Sequence, residues 1–344
     1  MPKDLLLYNR PVIVGSSSMK KRTTNTPVDV ILLLVLLVAL TPQLICIKVA
    51  KADTEATSVI CSTGGMSWFD ANGWTNEDSV SANVYTYVKN LFDSPPYDDT
   101  YYPYGGAVTA GGVLDTIEDH NEYDYATVFL FANGVNYTDQ DIIYYLGYPL
   151  YYYDVTHYSF YDSYYSGDNN VTDVEIGAIT HYGSSFQFVF LWSCAQGSEI
   201  GCYHDSYWID AYLYRAGTGA AGMPYAWTNR DYTQMSSDGL DDPDAGDYCF
   251  IGFEGFGIPL SEVIPDSGGK DYGDFVKAFY SYVLDDGYLV NDALDASSND
   301  VMDENFNQTT IYTGYTYELT FGEETMNWSG RIHVYGNGNN YLPN

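Results

Sequence analysis

Two unbroken apolar runs limit the folds open to this chain more than any other feature of its sequence. They are Tyr125–Phe131, which reads YATVFLF, and Phe186–Ser193, which reads FQFVFLWS. A strand that is apolar at every position is buried on both faces, as in a parallel sheet with helices on either side. We therefore predict that the two runs are central, adjacent strands of one mostly parallel sheet.

The segments around these runs supply the helices and further strands that such a sheet needs. Apolar residues recur at helical spacing in three segments, Asp78–Leu91, Thr109–Asp119 and Phe275–Val283. Short apolar or β-branched runs predict three more strands, at Thr57–Cys61, Gly222–Thr228 and Tyr248–Phe253. Two further helices are predicted at Tyr203–Tyr214 and Asn291–Ser297. Strands that alternate with helices predict an α/β, doubly wound fold.

The last part of the chain and two polar stretches complete the predicted organisation. Thr309–Phe321 and Met326–Tyr335 predict a closing pair of strands, which forms a C-terminal β extension. The Tyr-rich stretch Tyr144–Tyr165 and the Asp-rich stretch Ser236–Asp247 are predicted to be long connecting loops.

The charge of the chain excludes two classes of partner. The sequence holds 46 acidic and 13 basic residues, for a net charge of −33. Residues 53–344 carry 44 of the acids and only 6 of the bases. A surface with so few cations cannot neutralise phosphates, so we exclude nucleic acid and anionic lipid headgroups as partners.

The N-terminal 52 residues have the composition of an export signal. Lys20, Lys21 and Arg22 precede the apolar run Val30–Leu40, and Ala50-Lys51-Ala52 resembles a signal-peptidase site. Residues 1–52 are therefore predicted to be a secretory signal peptide, with an uncleaved signal anchor as the alternative. Four N-x-[ST] sequons in the rest of the chain also favour a secreted or cell-surface protein, with membrane contact only through this segment.

Cys194 is the candidate nucleophile. It directly follows the predicted strand Phe186–Ser193, and reactive groups in open α/β sheets lie past the carboxyl ends of strands. The alternative is a buried structural cysteine. Cys61, Cys202 and Cys249 are the other cysteines outside the signal segment, and their pairing stays open.

Three segments resemble parts of the caspase-fold cysteine peptidases, the group of the caspases, gingipains and clostripain. FVFLWSCAQGS, which contains Cys194, resembles the strand that carries the nucleophile, and GMPYAWT is similar to the strand after it. FVKAFYSYVLDDGYLVNDALDAS resembles the late helix pair of the gingipain-like branch. The resemblance implies a caspase-like domain over residues 53–300, followed by the β extension at residues 301–344.

The resemblance also implies a His-Gly pair after an earlier apolar strand, with the His as base and the Gly amide in the oxyanion hole. The matching strand here is YATVFLF, which is followed by Ala132, Asn133 and Gly134. Asn133 lies 61 residues before Cys194 (194 − 133), against about 50 for the caspase histidine. Gly134 fits the pattern, but the amide of Asn133 is not a useful base. His157 is the best substitute base, because its segment could fold back over the strand ends.

The resemblance places the substrate pocket near the Asp-rich loop. Asp238 and Asp241 in that loop would favour a basic residue at the cleavage site, and Trp192 is a further candidate substrate contact. The loop lacks the EF-hand spacing, so we predict a solvated acidic loop, with a Ca²⁺ site as the alternative, and assign no other metal or cofactor.

These observations leave two hypotheses open. The first is an exported, caspase-like cysteine peptidase homologue that acts on a peptide or protein, with Cys194 as nucleophile. The second is a catalytically inactive caspase-fold protein of the surface or envelope that only binds, which the replacement of the expected His by Asn133 favours.

Overall fold

The computed structural model describes residues 55–62, 76–145, 148–161, 170–180, 183–194, 196, 223–228, 246–321 and 324–344. The predicted export signal, the predicted helix Tyr203–Tyr214 and most of the predicted loop Ser236–Asp247 lie outside these residues.

The strands form two sheets. Their bounds are β1 (Ala56–Ser62), β2 (Tyr97–Tyr101), β3 (Tyr125–Phe131), β4 (Asn133–Tyr145), β5 (Tyr148–Tyr161), β6 (Asn170–Thr172), β7 (Phe186–Trp192), β8 (Cys249–Gly255), β9 (Tyr315–Phe321) and β10 (Glu324–Gly336). The main sheet has seven strands in the order β2-β1-β3-β7-β8-β10-β9, and the smaller sheet has the order β4-β5-β6.

Helices connect these strands. Their bounds are α1 (Glu77–Phe92), α2 (Ala110–His120), α3 (Asp173–Thr180), α4 (Met223–Thr228), α5 (Tyr272–Leu284), α6 (Val290–Met302) and α7 (Thr310–Thr313), with short 3₁₀ turns at Gly105–Ala107 and Phe306–Gln308. In the ranges described above, no helix combines the length and the apolar composition needed to cross a membrane.

The two apolar runs are adjacent central strands, as predicted. β3 pairs in parallel with β1 on one side and with β7 on the other, and β8 continues the parallel set next to β7. Phe129 of β3 lies in register with Phe190 of β7. The fold is thus α/β, with a mostly parallel sheet.

Both faces of the main sheet are buried, which explains why its central strands β3 and β7 are apolar at almost every position. Phe129, Phe190 and Trp192 belong to a core shared with α1, α5 and α6. Val128 and Val189 belong to the core on the opposite face, shared with α2, α3 and α4. Side chains alternate between the two faces of a strand, so every position of a strand covered on both sides is apolar.

The prediction of a strand at Gly222–Thr228 is wrong, because Met223–Thr228 is the short helix α4. Periodicity cannot separate a buried strand from one or two turns of a buried helix in so short a run. Pro224 is the residue that distinguishes them: it has no N–H for a central ladder but is tolerated in the first turn of a helix. The strand beside β7 is β8 instead.

The prediction of a loop over Tyr144–Tyr165 is also wrong. β4 and β5 form a long antiparallel hairpin, which runs from the pair Asn133–Tyr161 to the pair Tyr145–Tyr148. Tyrosine is a strong strand former, and this preference outweighs the polar composition of the segment.

The predicted closing pair of strands is confirmed as β9 and β10, although Thr309–Phe321 begins with α7 before the strand starts. β10 runs antiparallel to β8, so the C-terminal strands extend the main sheet itself. They cover the edge that β8 would otherwise expose.

Candidate functional site

Cys194 lies at the edge of the sheet where three parallel strands end. It follows β7 by two residues, and β3 and β8 flank β7 on either side. The chain continues from β3 to Gly134 and from β8 to Gly257, and both segments pass across the end of β7. The sheet order therefore brings three sequence-distant backbones together around one thiol.

Gly134 packs directly on the backbone of Cys194. An ideal Cβ placed on Gly134 would lie 1.9 Å from the carbonyl oxygen of Cys194 and 2.5 Å from the hydroxyl oxygen of Ser193. No residue with a side chain fits at this approach. On the other side, an ideal Cβ on Gly257 would lie 3.4 Å from the backbone nitrogen of Cys194, which is an ordinary contact distance.

Backbone N–H groups converge on the sulfur of Cys194. The N–H of Gly257 donates to Sγ over 3.2 Å, and the N–H groups of Gly134 and of Cys194 itself also act on it. Burial raises the pKa of the thiol to about 11, and the three N–H groups oppose that rise. The thiol is thus neutral near pH 7 but lies among donors that would stabilise an anion.

No charged side chain among the described residues assists the thiol: only burial and backbone donors act on its pKa. His333 on β10 lies with its Nε2 2.9 Å from Glu254, which also contacts Nε of Arg331 at 2.6 Å. His120 is buried at the other end of the sheet, with Nδ1 2.9 Å from the hydroxyl of Thr57 near the start of β1.

Asn133 and His157 both belong to the β4–β5 hairpin. Asn133 is the first residue of β4, directly before Gly134. Gly134 is opposite Phe160 in the ladder, whereas His157 is opposite Tyr137. Three residues of antiparallel strand span about 10 Å, so the backbone of His157 lies that far along the hairpin from the Gly134 pair. The role of His157 as base stays a prediction.

Trp192 lies in the core and not on an accessible surface. Its side chain is 1% exposed, and its indole N–H donates to the carbonyl oxygen of Ile258 over 2.7 Å. Ile258 directly follows Gly257, so this bond fixes the segment that carries a donor to the thiol. The burial favours a structural role for Trp192 over the substrate contact predicted from the sequence.

Replacement of Trp192 by Phe should destabilise the protein by about 1–3 kcal/mol more than replacement of Trp227 by Phe, because it leaves the buried Ile258 carbonyl without its donor. Trp227 is the matched control: it is fully buried, and its indole N–H has no hydrogen-bond partner among the residues that the structure describes. Urea unfolding of the two variants measures the difference. Equal losses would show that the Trp192–Ile258 bond contributes nothing.

The remaining predicted site residues lie outside the part of the chain that the structure describes. They are Asp238 and Asp241, and Cys202 also lies outside it. Cys61, Cys194 and Cys249 are buried and carry free thiols. Within the described ranges no three His, Cys, Asp or Glu side chains come close enough to hold a metal ion.

Two residues of the site were not predicted from the sequence. Gly257 follows β8 in the run CFIGFEGFG. The sequence signal that could have identified it is a glycine just after a buried parallel strand, because such a residue lies at the same carboxyl edge of the sheet as Cys194. Tyr315 at the start of β9 donates its hydroxyl to the carbonyl of Phe256. Phe256 directly precedes Gly257, so this bond ties β9 to the segment that carries a donor to the thiol, and no sequence pattern indicated it.

Comparison with known proteins adds little to this site. No protein-family model matches the chain, and no curated protein matches its sequence. A crystal structure of a protein from Geobacter sulfurreducens matches with 14% identity and a TM-score of 0.31, over 71% of this chain and 88% of that one.

Proposed function

We propose that this chain is a caspase-like, gingipain-like cysteine hydrolase that acts on peptide bonds with Cys194 as its nucleophile. The observation that carries the proposal is the setting of the Cys194 sulfur, which accepts the Gly257 N–H over 3.2 Å at the end of β7 while the N–H groups of Gly134 and of Cys194 itself oppose the rise of its pKa. A structural thiol needs no donors, since sulfur is a weak acceptor. A thiolate, or the oxyanion of an attacked carbonyl, needs several.

The arrangement supports a two-step acyl transfer. Sγ of Cys194 bonds to the carbonyl carbon of the substrate, and the N–H groups of Gly134 and Cys194 donate to the oxyanion. The C–N bond then breaks and the leaving amine takes the proton from the thiol. Water hydrolyses the thioester, which releases the acid and restores the thiol. His157 is the candidate for the group that carries the proton between these steps.

The close approach of Gly134 to Cys194 supports the caspase-like reading. The resemblance requires that the strand before the His-Gly pair lie next to the strand before the cysteine. β3 and β7 are such neighbours, and the Gly134 backbone touches that of Cys194.

A second function, binding without catalysis, has its own supporting observation. Cys194 is 8% exposed, its pKa is about 11, and Asn133 stands at the position of the expected base. At pH 7 a thiol with that pKa is thiolate in about one molecule in ten thousand. An inactive caspase-fold protein of the cell surface or envelope needs no reactive thiolate, so this small fraction fits the binding function.

We also propose a location outside the cell and a class of peptide substrate for the protein. Export to the surface or the medium rests on the basic and apolar segment of residues 1–52 and on the sequons. The acidic excess of residues 53–344, with Asp238 and Asp241, supports a preference for peptides with Arg or Lys at the cleavage site.

Peptidyl acyloxymethyl ketones test the peptidase function, because they are weak alkylating agents that react efficiently only when the bound peptide holds them against an active thiolate: Sγ bonds to the methylene carbon and the carboxylate leaves. We expect a probe with Arg or Lys at the cleavage position to label the folded protein on Cys194, with no labelling of Cys194→Ala. The matched probe with Asp at that position should react at least about tenfold more slowly, which corresponds to about 1.4 kcal/mol. Labelling by iodoacetamide but by neither peptidyl probe would favour the binding function.

A further inference from the structure

Glu77 is a buried carboxylate with an unusual set of partners. It is the first residue of α1 and is 0% exposed. Its two oxygens accept the backbone N–H groups of Leu260 over 2.9 Å and of Ser261 over 2.8 Å. In the described part of the chain no Lys, Arg or His forms an ion pair with it.

Burial of a carboxylate without a cation is costly, so its retention here calls for an explanation. An acidic residue in the first turn of a helix is stabilised by the helix dipole, but that holds equally for an exposed side chain such as Asp78. The bonds of Glu77 reach to a segment 183 and 184 residues further along the chain. The carboxylate therefore connects α1 to the segment after β8.

That segment, residues 256–261, is the one that carries a donor to Cys194; we refer to it as the Gly257 loop. At its start, the N–H of Phe256 donates to the carbonyl of Ser329 over 3.0 Å. In its middle, Ile258 accepts the indole N–H of Trp192. At its end, Glu77 binds the last two N–H groups. With these bonds in place, the N–H of Gly257 lies 3.2 Å from Sγ of Cys194.

We propose that Glu77 is a positioning residue of the Cys194 site, because its carboxylate holds the end of the Gly257 loop so that the Gly257 N–H stays on the sulfur. The value of this contact for catalysis rests on the proposed function. The contact itself does not, since the loop acts on the thiol whether or not a substrate is cleaved. When the end of the loop is released, the sulfur loses one N–H donor. The thiolate is then less stable and the thiol ionises at higher pH.

Glu77→Gln is the test variant, since the amide keeps the size of the side chain but can accept only one of the two N–H groups. Alkylation of Cys194 by iodoacetamide is followed by mass spectrometry from pH 7 to 12.5, on protein that is still folded at each pH, and the midpoint of the rate profile gives the pKa of the thiol. Asp295→Asn is the matched control, because the Asp295 carboxylate holds a loop N–H, that of Phe306, over 2.9 Å at another place.

We expect Glu77→Gln to raise the alkylation midpoint by about 0.5–1 pH unit, and Asp295→Asn to leave it unchanged. A merely structural role would loosen the site and expose the thiol, which would leave the midpoint unchanged or lower it, because burial is what raises the pKa of Cys194. Glu77→Asp, which keeps a shorter carboxylate, should give a smaller shift and also covers the case in which Glu77→Gln does not fold.

A midpoint equal to that of the wild type in the folded variants would overturn the inference. The experiment needs no substrate, so its outcome is separate from that of the peptidyl probes. A wild-type protein that no peptidyl probe labels, but whose midpoint shifts in Glu77→Gln, would contradict the peptidase function and support the role of Glu77.

Discussion

Gly134→Ala should destabilise the protein by about 3 kcal/mol or more and remove the Gly134 N–H from the thiol. The new Cβ would lie 1.9 Å from the carbonyl oxygen of Cys194, an atom of the backbone that no side-chain rotation can move away. Either β4 or the turn at Cys194 has to shift, and such overpacking commonly costs 1–3 kcal/mol even where a flexible side chain can yield. Urea unfolding gives the loss of stability, and iodoacetamide labelling of the folded fraction gives the change at the thiol.

The matched control for Gly134→Ala is Gly111→Ala. An ideal Cβ on Gly111 meets nothing within 4 Å, and the residue lies in the first turn of α2. Alanine is the better helix former by up to about 1 kcal/mol, so this variant should be as stable as the wild type or slightly more so. If Gly134→Ala were as stable as Gly111→Ala, the close approach of Gly134 to Cys194 would not exist in solution.

Asn133→His should increase the rate at which iodoacetamide labels Cys194 at pH 7 by about 30–50-fold. If the imidazole lowers the pKa of the thiol from about 11 to about 8, the fraction of thiolate rises about a thousandfold. A thiolate of lower pKa is also a weaker nucleophile, which reduces the gain by a factor of about 20–30. Labelling across pH 5–9, with Cys194→Ala as the blank, measures the result.

Asn133→Gln is the control for this gain, because it changes the side chain but adds no base. Equal rates for Asn133→His and Asn133→Gln would mean that residue 133 does not act on the thiol, and the residue match behind the family resemblance would fail. A wild-type rate that is already fast, and is lost in His157→Ala, would instead identify His157 as the base and contradict the inactive alternative.

The centre of the fold could be predicted from the sequence because its residues are constrained on both faces. β3 and β7 are apolar at almost every position, and only a central strand between two helical layers has that requirement. The same logic placed Cys194 at the correct edge, since the residue after a parallel strand lies at the carboxyl end of the sheet.

The elements outside the centre could not be predicted in the same way. Pro224 decides between helix and strand in a run where periodicity does not. The tyrosines of β5 fit both a polar loop and a strand, and the choice depends on the pairing with β4.

The donors around Cys194 could be predicted only in part. Gly134 was identified through the family resemblance. The roles of the donor Gly257 and of Glu77, which holds its loop, follow only from contacts between distant parts of the chain. Glu77 directly precedes the predicted helix Asp78–Leu91, and only the folded structure places its carboxylate against Leu260 and Ser261. Contacts of that kind leave no periodic pattern in the sequence.

The pairing of β8 with β10 also sets the order in which the site can be assembled during synthesis. Gly255, two residues before Gly257, pairs with Gly330, and Phe256 donates to Ser329. A nascent chain is made from its N-terminus, so Cys194 and the Gly257 loop leave the ribosome well before β10 does. Until β10 arrives, β8 is an open edge and the Gly257 loop lacks its Ser329 acceptor. The start of the Gly257 loop is therefore fixed only after the chain has been translated as far as Ser329, long after Cys194 itself has been made.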